Sequence, residues 1–157
     1  MTRPDISMTS GEARAFLEGG RKLQVATLRS DGYPHLTTLW YVMSEGCITF
    51  RSFTKSQRIV NLQRDPRITA LVEEGDTYNT LRGVMVKGRA RLIQDRATVL
   101  EMYGRVAVKY EGGGMDGAMD TDALEMLFGR HADKNTVVRI EPEEVVSWDH
   151  RKLGGGY

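Results

Sequence analysis

Residues 81–93 place the strongest constraint on the fold, because two kinds of side chain alternate along them. One row is Val84, Val86, Gly88, Ala90 and Leu92, and the other is Met85, Lys87, Arg89 and Arg91. A period of two is that of a β-strand with one buried and one solvated face. The glycine in the apolar row indicates that another backbone approaches closely or that the strand bends there. The chain is therefore expected to build a sheet around this strand.

The rest of the chain alternates strand-like runs, turn signals and helical segments. Further strands are expected at residues 22–28, 35–43, 47–53, 67–72 and 136–148, the last interrupted near Pro142. Helices are expected at residues 10–17, 54–63, 95–110 and 120–128. This order predicts a mainly β fold with some α structure, an antiparallel barrel of about six strands with peripheral helices. We expect residues 1–157 to form one domain with a flexible N-terminus at 1–9.

Two of the predicted helices carry apolar residues at helical spacing. In the helix at 54–63, Ile59 and Leu62 should face the core, with Val60 alongside. In the helix at 95–110, the residues expected to face inward are Val99, Met102, Tyr103 and Val106. The glycine-rich run at 112–117 that follows is expected to be a flexible loop.

The charge balance excludes a large polyanionic partner. The chain has 22 basic and 21 acidic side chains, a formal net charge of +1, so neither nucleic acid nor an anionic membrane surface is expected to bind. No run reaches the roughly 18 apolar residues of a membrane span, and the N-terminal segment lacks the apolar stretch of a signal peptide. The single cysteine, Cys47, allows no internal disulfide and no cysteine-based zinc site. The reducing cytoplasm is the expected compartment.

Motifs of the common catalytic sites are missing from the sequence. His35, His131 and His150 lie far apart, so no metal site is predicted. There is no GxSxG, GxGxxG or GxxxxGK[ST] motif. The adjacent carboxylates at 73–74 and 143–144 would point to opposite faces of a strand, which does not suit an acid–base pair. No catalytic residue is therefore assigned.

One segment departs from the overall charge balance. Between residues 51 and 67 there are five cations, Arg51, Lys55, Arg58, Arg64 and Arg67, against one acid, Asp65. The segment passes from strand into helix, and the unpaired N–H groups at a helix N-terminus favour an anion. The hydroxyl donors there are Ser52, Thr54 and Ser56, and Arg51 and Lys55 supply charge. We interpret the segment as a phosphate site, with a capped helix and a solvated basic face as the alternative.

Two further clusters place aromatic rings beside polar groups. Residues 34–41 (PHLTTLWY) combine hydroxyls with two large aromatics, and residues 148–157 (WDHRKLGGGY) are rich in aromatic and charged side chains for a C-terminus. A tryptophan in a tail indicates that the tail packs on something. Plain core or interface packing would account equally well for either cluster.

Taken in order, these segments resemble the split-β-barrel flavin and deazaflavin proteins, the pyridoxamine 5′-phosphate oxidase-like superfamily. They are most similar to its branch of coenzyme F-420-dependent oxidoreductases of actinobacteria. The motifs that carry the resemblance are 32–41 (GYPHLTTLWY), 50–58 (FRSFTKSQR), 61–67 (NLQRDPR), 82–90 (RGVMVKGRA) and 148–155 (WDHRKLGG). The chain lacks the longer C-terminal substrate-binding signature of the oxidase itself, which argues against oxidation of pyridoxamine phosphate.

The resemblance implies an FMN-binding-protein-like split barrel that forms a homodimer, with cofactor sites at the subunit interface. Arg51, Thr54 and Lys55 would hold the cofactor phosphate, with Ser52 and Ser56 nearby. Pro34, Thr37, Thr38 and Leu39 would line the tricyclic ring, partly through backbone groups. Trp148 and Arg151 would reach the site from the other subunit, because the tail at 149–157 is expected to pack at the dimer interface.

The function implied is hydride transfer from reduced coenzyme F-420 to a planar conjugated substrate, such as a tetrapyrrole or quinone-like compound. Because the cofactor carries the hydride, the protein would bind, orient and exclude water. The proton would come from solvent or a side chain, with His35 and Tyr41 as candidates. FMN is the alternative cofactor, since its phosphate would use the same residues. A non-catalytic module that binds or stores cofactor or tetrapyrrole is the third interpretation.

Overall fold

Seven antiparallel strands form one curled sheet in the computed structural model, which describes residues 5–111 and 120–154. The strands are β1 (Leu23–Leu28), β2 (Pro34–Leu39), β3 (Val42–Ser44), β4 (Cys47–Phe53), β5 (Arg67–Glu74), β6 (Arg82–Ile93) and β7 (Asn135–Asp149). The helices are α1 (Ser10–Gly19), α2 (Gln57–Arg64), α3 (Arg96–Glu111) and α4 (Thr121–Ala132), with 3₁₀ turns at Tyr78–Thr80 and His150–Leu153. The predicted class, a mainly β split barrel with peripheral helices, is confirmed.

The order of the strands makes the sheet curl towards closure. It runs β2-β1-β5-β6-β7-β4-β3, so β2 and β3 are the two edge strands. These strands are consecutive along the chain and separated only by Trp40 and Tyr41, so the two edges of the sheet meet at that point. The sequence predicts a single strand over 35–43. Its division at these two residues raises the number of strands in the described residues from about six to seven.

The long strands β6 and β7 bend at the glycine that the alternation singles out. Their register shifts between Lys87 and Gly88, opposite Pro142. A Cβ atom on Gly88 would overlap the backbone carbonyl of Glu141, so the predicted close approach of another backbone is confirmed. Pro142 does not interrupt the last strand as expected, because the bulge carries β7 past the proline.

Two apolar clusters lie on opposite faces of the sheet. The barrel interior is filled by inward residues of the strands, such as Val25, Phe50 and Val84, and is covered by α1 and α2. The second cluster lies under α3 and α4, with Val42 of β3 and Val137 of β7. The four residues predicted to face inward from α3, Val99, Met102, Tyr103 and Val106, are all buried in it.

Helix α2 differs from the prediction at one position. Ile59 and Leu62 are buried as expected, but Val60 is 44% exposed and Asn61 is fully buried instead. The Asn61 amide is satisfied in the core, since its Nδ2 donates to Thr27 Oγ1 at 3.0 Å and its Oδ1 accepts from Gln57 at 2.8 Å. These hydrogen bonds offset the cost of burying a polar side chain.

The segment that precedes α1 is held against the C-terminal end of β7. The Ile6 carbonyl accepts from the Asp149 backbone, and the Met8 N–H donates to Ser147 Oγ at 2.9 Å. These contacts pair backbone groups of Ile6 and Met8, and the flexibility expected for residues 1–9 stays a prediction. Residues 1–4, the expected flexible loop at 112–117 and the tail beyond 154 lie outside the described residues.

Candidate functional site

A gap in the barrel separates β2 from β4, next to the junction of β2 and β3. β3 pairs with β4. If this pairing continued beyond the N-terminal end of β3, Trp40 would lie opposite Arg51 and Leu39 opposite Ser52. No ladder forms there, because β2 pairs with β1 alone within the described residues. The second edge of β2 therefore has backbone N–H and C=O groups that no strand satisfies. This free edge faces the segment in which the sequence predicts a phosphate site.

Hydroxyl groups and one arginine meet where β4 passes into α2. The Oγ atoms of Ser52 and Ser56 lie 2.9 Å apart, and Arg58 Nη1 donates to Ser52 Oγ at 3.0 Å. Ser56 is the N-cap residue of α2, but its side chain makes no capping hydrogen bond and turns to Ser52 instead. Thr54 Oγ1 hydrogen-bonds with Thr136 Oγ1 at 2.9 Å. We call Ser52, Thr54, Ser56 and Arg58 the hydroxyl site.

The hydroxyl site has a positive electrostatic environment. The first turn of α2 contains no acidic residue, and its free N–H groups form the positive end of the helix dipole. Burial of the Arg58 guanidinium lowers its pKa, because the charged form is partly desolvated. Lys55 lies between Thr54 and Ser56 in the sequence and is exposed. An anion would therefore find donors and positive charge together.

Three polar atoms around the gap are buried and have no hydrogen-bond partner among the described residues. They are His35 Nδ1, Thr37 Oγ1 and Arg58 Nε. In the β1–β2 ladder, His35 and Thr37 stand opposite Thr27 and Val25, so both side chains lie on the barrel side of β2. An unpaired buried polar atom costs about 1–3 kcal/mol. A polar ligand in the gap would supply the missing partners.

Arg51 lies on the opposite face of β4 from Ser52, because consecutive residues of a strand point to opposite faces. Its guanidinium carbon is 3.8 Å from the centre of the Tyr103 ring in α3. With Leu39, Trp40 and Val106, Arg51 lines a cleft of about 300 Å³, which we call the aromatic cleft. The structure therefore does not bring Arg51 together with the hydroxyl site, although the sequence groups them.

The four β2 residues predicted to line a ring divide between the two faces of the strand. Thr37 and Leu39 are half-buried on the barrel side, whereas Pro34 and Thr38 are exposed on the outer side. Because their side chains point outward, Pro34 and Thr38 can contact a ligand in the gap only through their backbone groups.

Trp148 lies near the C-terminal end of β7, and Arg151 lies just beyond that end. Trp148 is opposite Gly83, where a Cβ atom would overlap its indole ring. Along β7 it lies eleven residues beyond Val137, the partner of Arg51, a path of about 35 Å. Arg151 Nε donates to Asp149 Oδ1 at 2.8 Å, and this contact lowers the pKa of the Asp149 carboxyl. A single chain therefore does not assemble the tail residues with the other predicted site residues.

The two candidate proton donors have different surroundings. Tyr41 is fully buried, and its hydroxyl donates to the Leu17 carbonyl under α1. Burial also raises the pKa of Tyr41. These surroundings argue against Tyr41 as the proton donor. His35 is half-buried on β2, with its Nδ1 unpartnered in the described residues, and stays a candidate.

Sequence reasoning missed two features of the site. In the sequence Arg58 is one of five cations in 51–67, and its hydrogen bond to Ser52 places it with the hydroxyls. The stacking of Trp40 on Tyr110, with ring centroids 4.6 Å apart and planes 10° apart, joins residues 70 positions apart. No local signal predicts such a pair.

The described residues contain neither a metal-binding cluster nor a membrane-spanning helix. Across 5–111 and 120–154, no group of three or more histidine, cysteine, aspartate or glutamate side chains could hold a metal ion. None of the helices in the same part of the chain is long and apolar enough to cross a membrane.

Comparison with known proteins defines the family. The family model described as pyridoxamine 5′-phosphate oxidase matches residues 9–149. The crystal structure of conserved hypothetical protein Rv2991 from Mycobacterium tuberculosis is 37% identical in sequence, with a TM-score of 0.86, over 100% of this chain and 94% of that one. The chain therefore belongs to the pyridoxamine 5′-phosphate oxidase-like family, whose members are flavin-binding oxidoreductases with a split barrel.

More distant structures share the fold. An F420 reductase is 19% identical, with a TM-score of 0.65, over 88% of this chain and 98% of that one. A FAD-binding protein from Mesorhizobium loti is 20% identical, with a TM-score of 0.65, over 90% of this chain and 94% of that one. Likeness at this level of identity concerns the fold alone. Among curated proteins, none matches this chain.

Proposed function

We propose that this protein binds a flavin-type cofactor that carries a phosphate, coenzyme F-420 or alternatively FMN, in the gap between β2 and β4. We also propose that it transfers a hydride from the reduced cofactor to a planar conjugated substrate, such as a tetrapyrrole or quinone-like compound. The observation that carries the proposal is that the gap sets the free edge of β2 across from the hydroxyl site. Membership of a flavin-binding family supports the class of reaction.

The polar groups around the gap fit the phosphate end of such a cofactor. Ser52, Thr54 and Ser56 offer hydroxyl donors, and Lys55 and Arg58 offer positive charge. Donors from a helix N-terminus and a charged guanidinium form the strong hydrogen bonds that phosphate oxygens prefer. We propose Arg58 as the guanidinium that contacts the phosphate, a role that the resemblance implies for Arg51.

The free edge of β2 fits the ring end. The backbone of Thr37, Thr38 and Leu39 presents alternating N–H and C=O groups that no strand pairs in the described residues. The ring of a flavin or deazaflavin has carbonyl and N–H groups along one edge, which such a backbone can recognise as it would a neighbouring strand. When bound, the cofactor supplies the hydride, and the protein supplies position, exclusion of water and a proton route near His35.

A homodimer would complete the site. Trp148 lies near the C-terminal end of β7 and Arg151 lies just beyond that end, and a second copy of the chain could bring both to the gap. Leu36, Val145 and Val146, on β2 and β7, are 68%, 54% and 38% exposed. Exposed apolar side chains on a sheet are typical of an interface. We therefore propose that the two tails exchange between subunits.

Cofactor titration tests the proposal. Coenzyme F-420 binding, followed by fluorescence, should weaken about tenfold or more in Lys55→Ala, because a charge-assisted contact to phosphate is lost. Lys22→Ala, at an exposed lysine outside the gap, is the matched control and should bind as the parent does. If the parent binds neither coenzyme F-420 nor FMN at high concentration, the proposed function is wrong.

Two further measurements separate the alternatives. If the purified protein is yellow and absorbs at about 450 nm, as bound flavins do, FMN is favoured over coenzyme F-420. Oxidation of the reduced cofactor should be measured with a panel of planar acceptors. Tight binding without turnover of any acceptor would favour the non-catalytic binding module.

A further inference from the structure

The aromatic cleft contains a cation that has no counter-ion. Arg51 is half-buried, and its Nε is buried without a hydrogen-bond partner. Among the described residues, no carboxylate pairs with its guanidinium. A partly buried guanidinium normally has a partner, because desolvation of its charge is costly. The site is therefore prepared for an anion.

The guanidinium of Arg51 is held in a defined position. It lies 3.8 Å from the centre of the Tyr103 ring. Tyr103 is 8% exposed and stacks on Phe128, with ring centroids 4.9 Å apart. With one face against a fixed ring, the planar guanidinium keeps its N–H donors for a partner in its own plane.

Trp40 forms a rigid apolar wall of the same cleft. Its indole is 51% exposed although it stacks on Tyr110 at 4.6 Å. The Tyr110 hydroxyl is fixed in turn, since it accepts from the Tyr41 N–H at 3.1 Å and donates to the Tyr41 carbonyl at 3.0 Å. A large aromatic side chain held in place and left exposed offers a surface on which a second flat ring can stack.

Two further cations lie around the Tyr110 ring on which Trp40 stacks. The guanidinium of Arg21 lies 5.0 Å from the centre of the Tyr110 ring, and Lys109 Nζ lies 5.5 Å from it. Neither cation forms an ion pair with a carboxylate in the part of the chain that the structure describes. The local field therefore favours an anion over a neutral molecule of the same shape.

We propose that the aromatic cleft binds a planar conjugated anion, with its ring against Trp40 and its negative group on Arg51. A volume of about 300 Å³ is at the lower limit for ligand pockets and suits one fused-ring system. The proposal rests on the proposed function, and the anion has two chemical sources. It is the carboxylate of the substrate or the anionic edge of the reduced cofactor ring. In either case, Arg51 selects for negative charge.

Calorimetric titration of the full chain with three probes tests the proposal. The probes are 2-naphthoate, its neutral counterpart 2-naphthamide, and reduced riboflavin, which carries the cofactor ring without phosphate. The parent should prefer naphthoate to naphthamide by about tenfold or more, and Arg51→Gln should abolish this preference. Arg51→Lys keeps the charge and should retain part of it. Arg14→Gln, at an exposed arginine of α1, is the control for net charge and should retain all of it.

Each outcome decides between the sources or overturns the proposal. A preference for naphthoate that depends on Arg51 supports the substrate source. If naphthoate does not bind, and Arg51→Gln weakens only reduced riboflavin, the cofactor source is supported. The proposal is overturned if Arg51→Gln and Arg51→Lys, both folded by circular dichroism, bind all probes as the parent does, or if the parent binds none.

The same titrations keep this proposal separate from the proposed function. If naphthoate binds through Arg51 but no cofactor binds, the proposed function fails and the cleft still binds anions. If coenzyme F-420 or FMN binds normally and no probe depends on Arg51, the cleft proposal fails and the proposed function stands.

Discussion

The hydroxyl site and the aromatic cleft begin at neighbouring residues and differ in almost every physical property. Ser52 is 4% exposed and belongs to a hydrogen-bonded group built from β4 and α2. Arg51 stacks on an aromatic ring in a cleft that also needs β2 and α3. The first is polar and local in sequence, and the second is aromatic and assembled from distant segments. A contiguous motif on a strand is therefore divided into two sites, because alternate side chains point to opposite faces.

Removal of the Tyr103 ring, which supports the cleft from within the second apolar cluster, should have the largest effect. Tyr103→Ala deletes a buried ring that supports Arg51, and the free energy of unfolding should fall by about 3–5 kcal/mol. Tyr103→Phe keeps the ring and should cost less than about 1 kcal/mol. Urea denaturation measures both values. A small loss for Tyr103→Ala would show that the Tyr103 ring is not tightly packed beneath Arg51. The aromatic cleft would then not differ from the hydroxyl site in being held by buried packing.

A change in Arg58 should act on the hydroxyl site alone. Arg58→Gln should weaken FMN binding by about 10- to 100-fold, because a charged hydrogen-bond donor to phosphate is lost. Riboflavin, which lacks the phosphate, should lose less than about threefold. Arg64→Gln, in the last turn of the same helix, is the control. Equal losses for FMN and riboflavin would mean that Arg58 does not contact the phosphate.

The smallest predicted effect concerns Lys109, near the Tyr110 ring, and depends on pH. Its Nζ is buried 4.0 Å from the centre of the Tyr41 ring, and burial, with Arg21 nearby, lowers the pKa of Lys109 from 10.5 to about 8. Between these two pKa values the unfolded chain binds more protons than the folded one, so the parent gains stability as pH rises.

Lys109→Met should therefore be more stable than the parent at pH 7, by about 1 kcal/mol after allowance for solvent screening. The advantage should shrink towards pH 10, where the lysine is neutral in the folded protein. Urea denaturation at the two pH values measures this difference, with Lys22→Met as the control. An advantage that is the same at both values would assign the effect to packing rather than to charge.

Much of the fold follows from local patterns that the tertiary structure leaves intact. The alternation along 81–93 predicts β6, and Gly88 predicts the close backbone approach that its contact with Glu141 confirms. The inward face of α3 is also correct. The break at Trp40 and Tyr41 could not be predicted, because both residues favour strands and the break depends on how the sheet closes.

The candidate site shows the same limit. The hydroxyls of 52–56 are close in sequence, so their grouping follows from the transition between a strand and a helix. Inclusion of Arg58 depends on its rotamer and on the burial of α2. The role of Arg51 depends on Tyr103, which lies 52 positions further along the chain, and no pattern in 51–56 indicates that contact.

The sequence by itself determined a mainly β barrel, its bend at Gly88 and a run of hydroxyls and cations ahead of α2. These features follow from the two-residue period of strands, from the missing side chain of glycine and from the polarity of helix ends, all of which act over a few residues. Only the tertiary structure decided that Arg51 and Ser52 serve different regions, that β2 keeps a free edge, and that Trp148 and Arg151 lie at the far end of β7. The physical reason is that packing between distant segments sets which face of a strand is covered and by what.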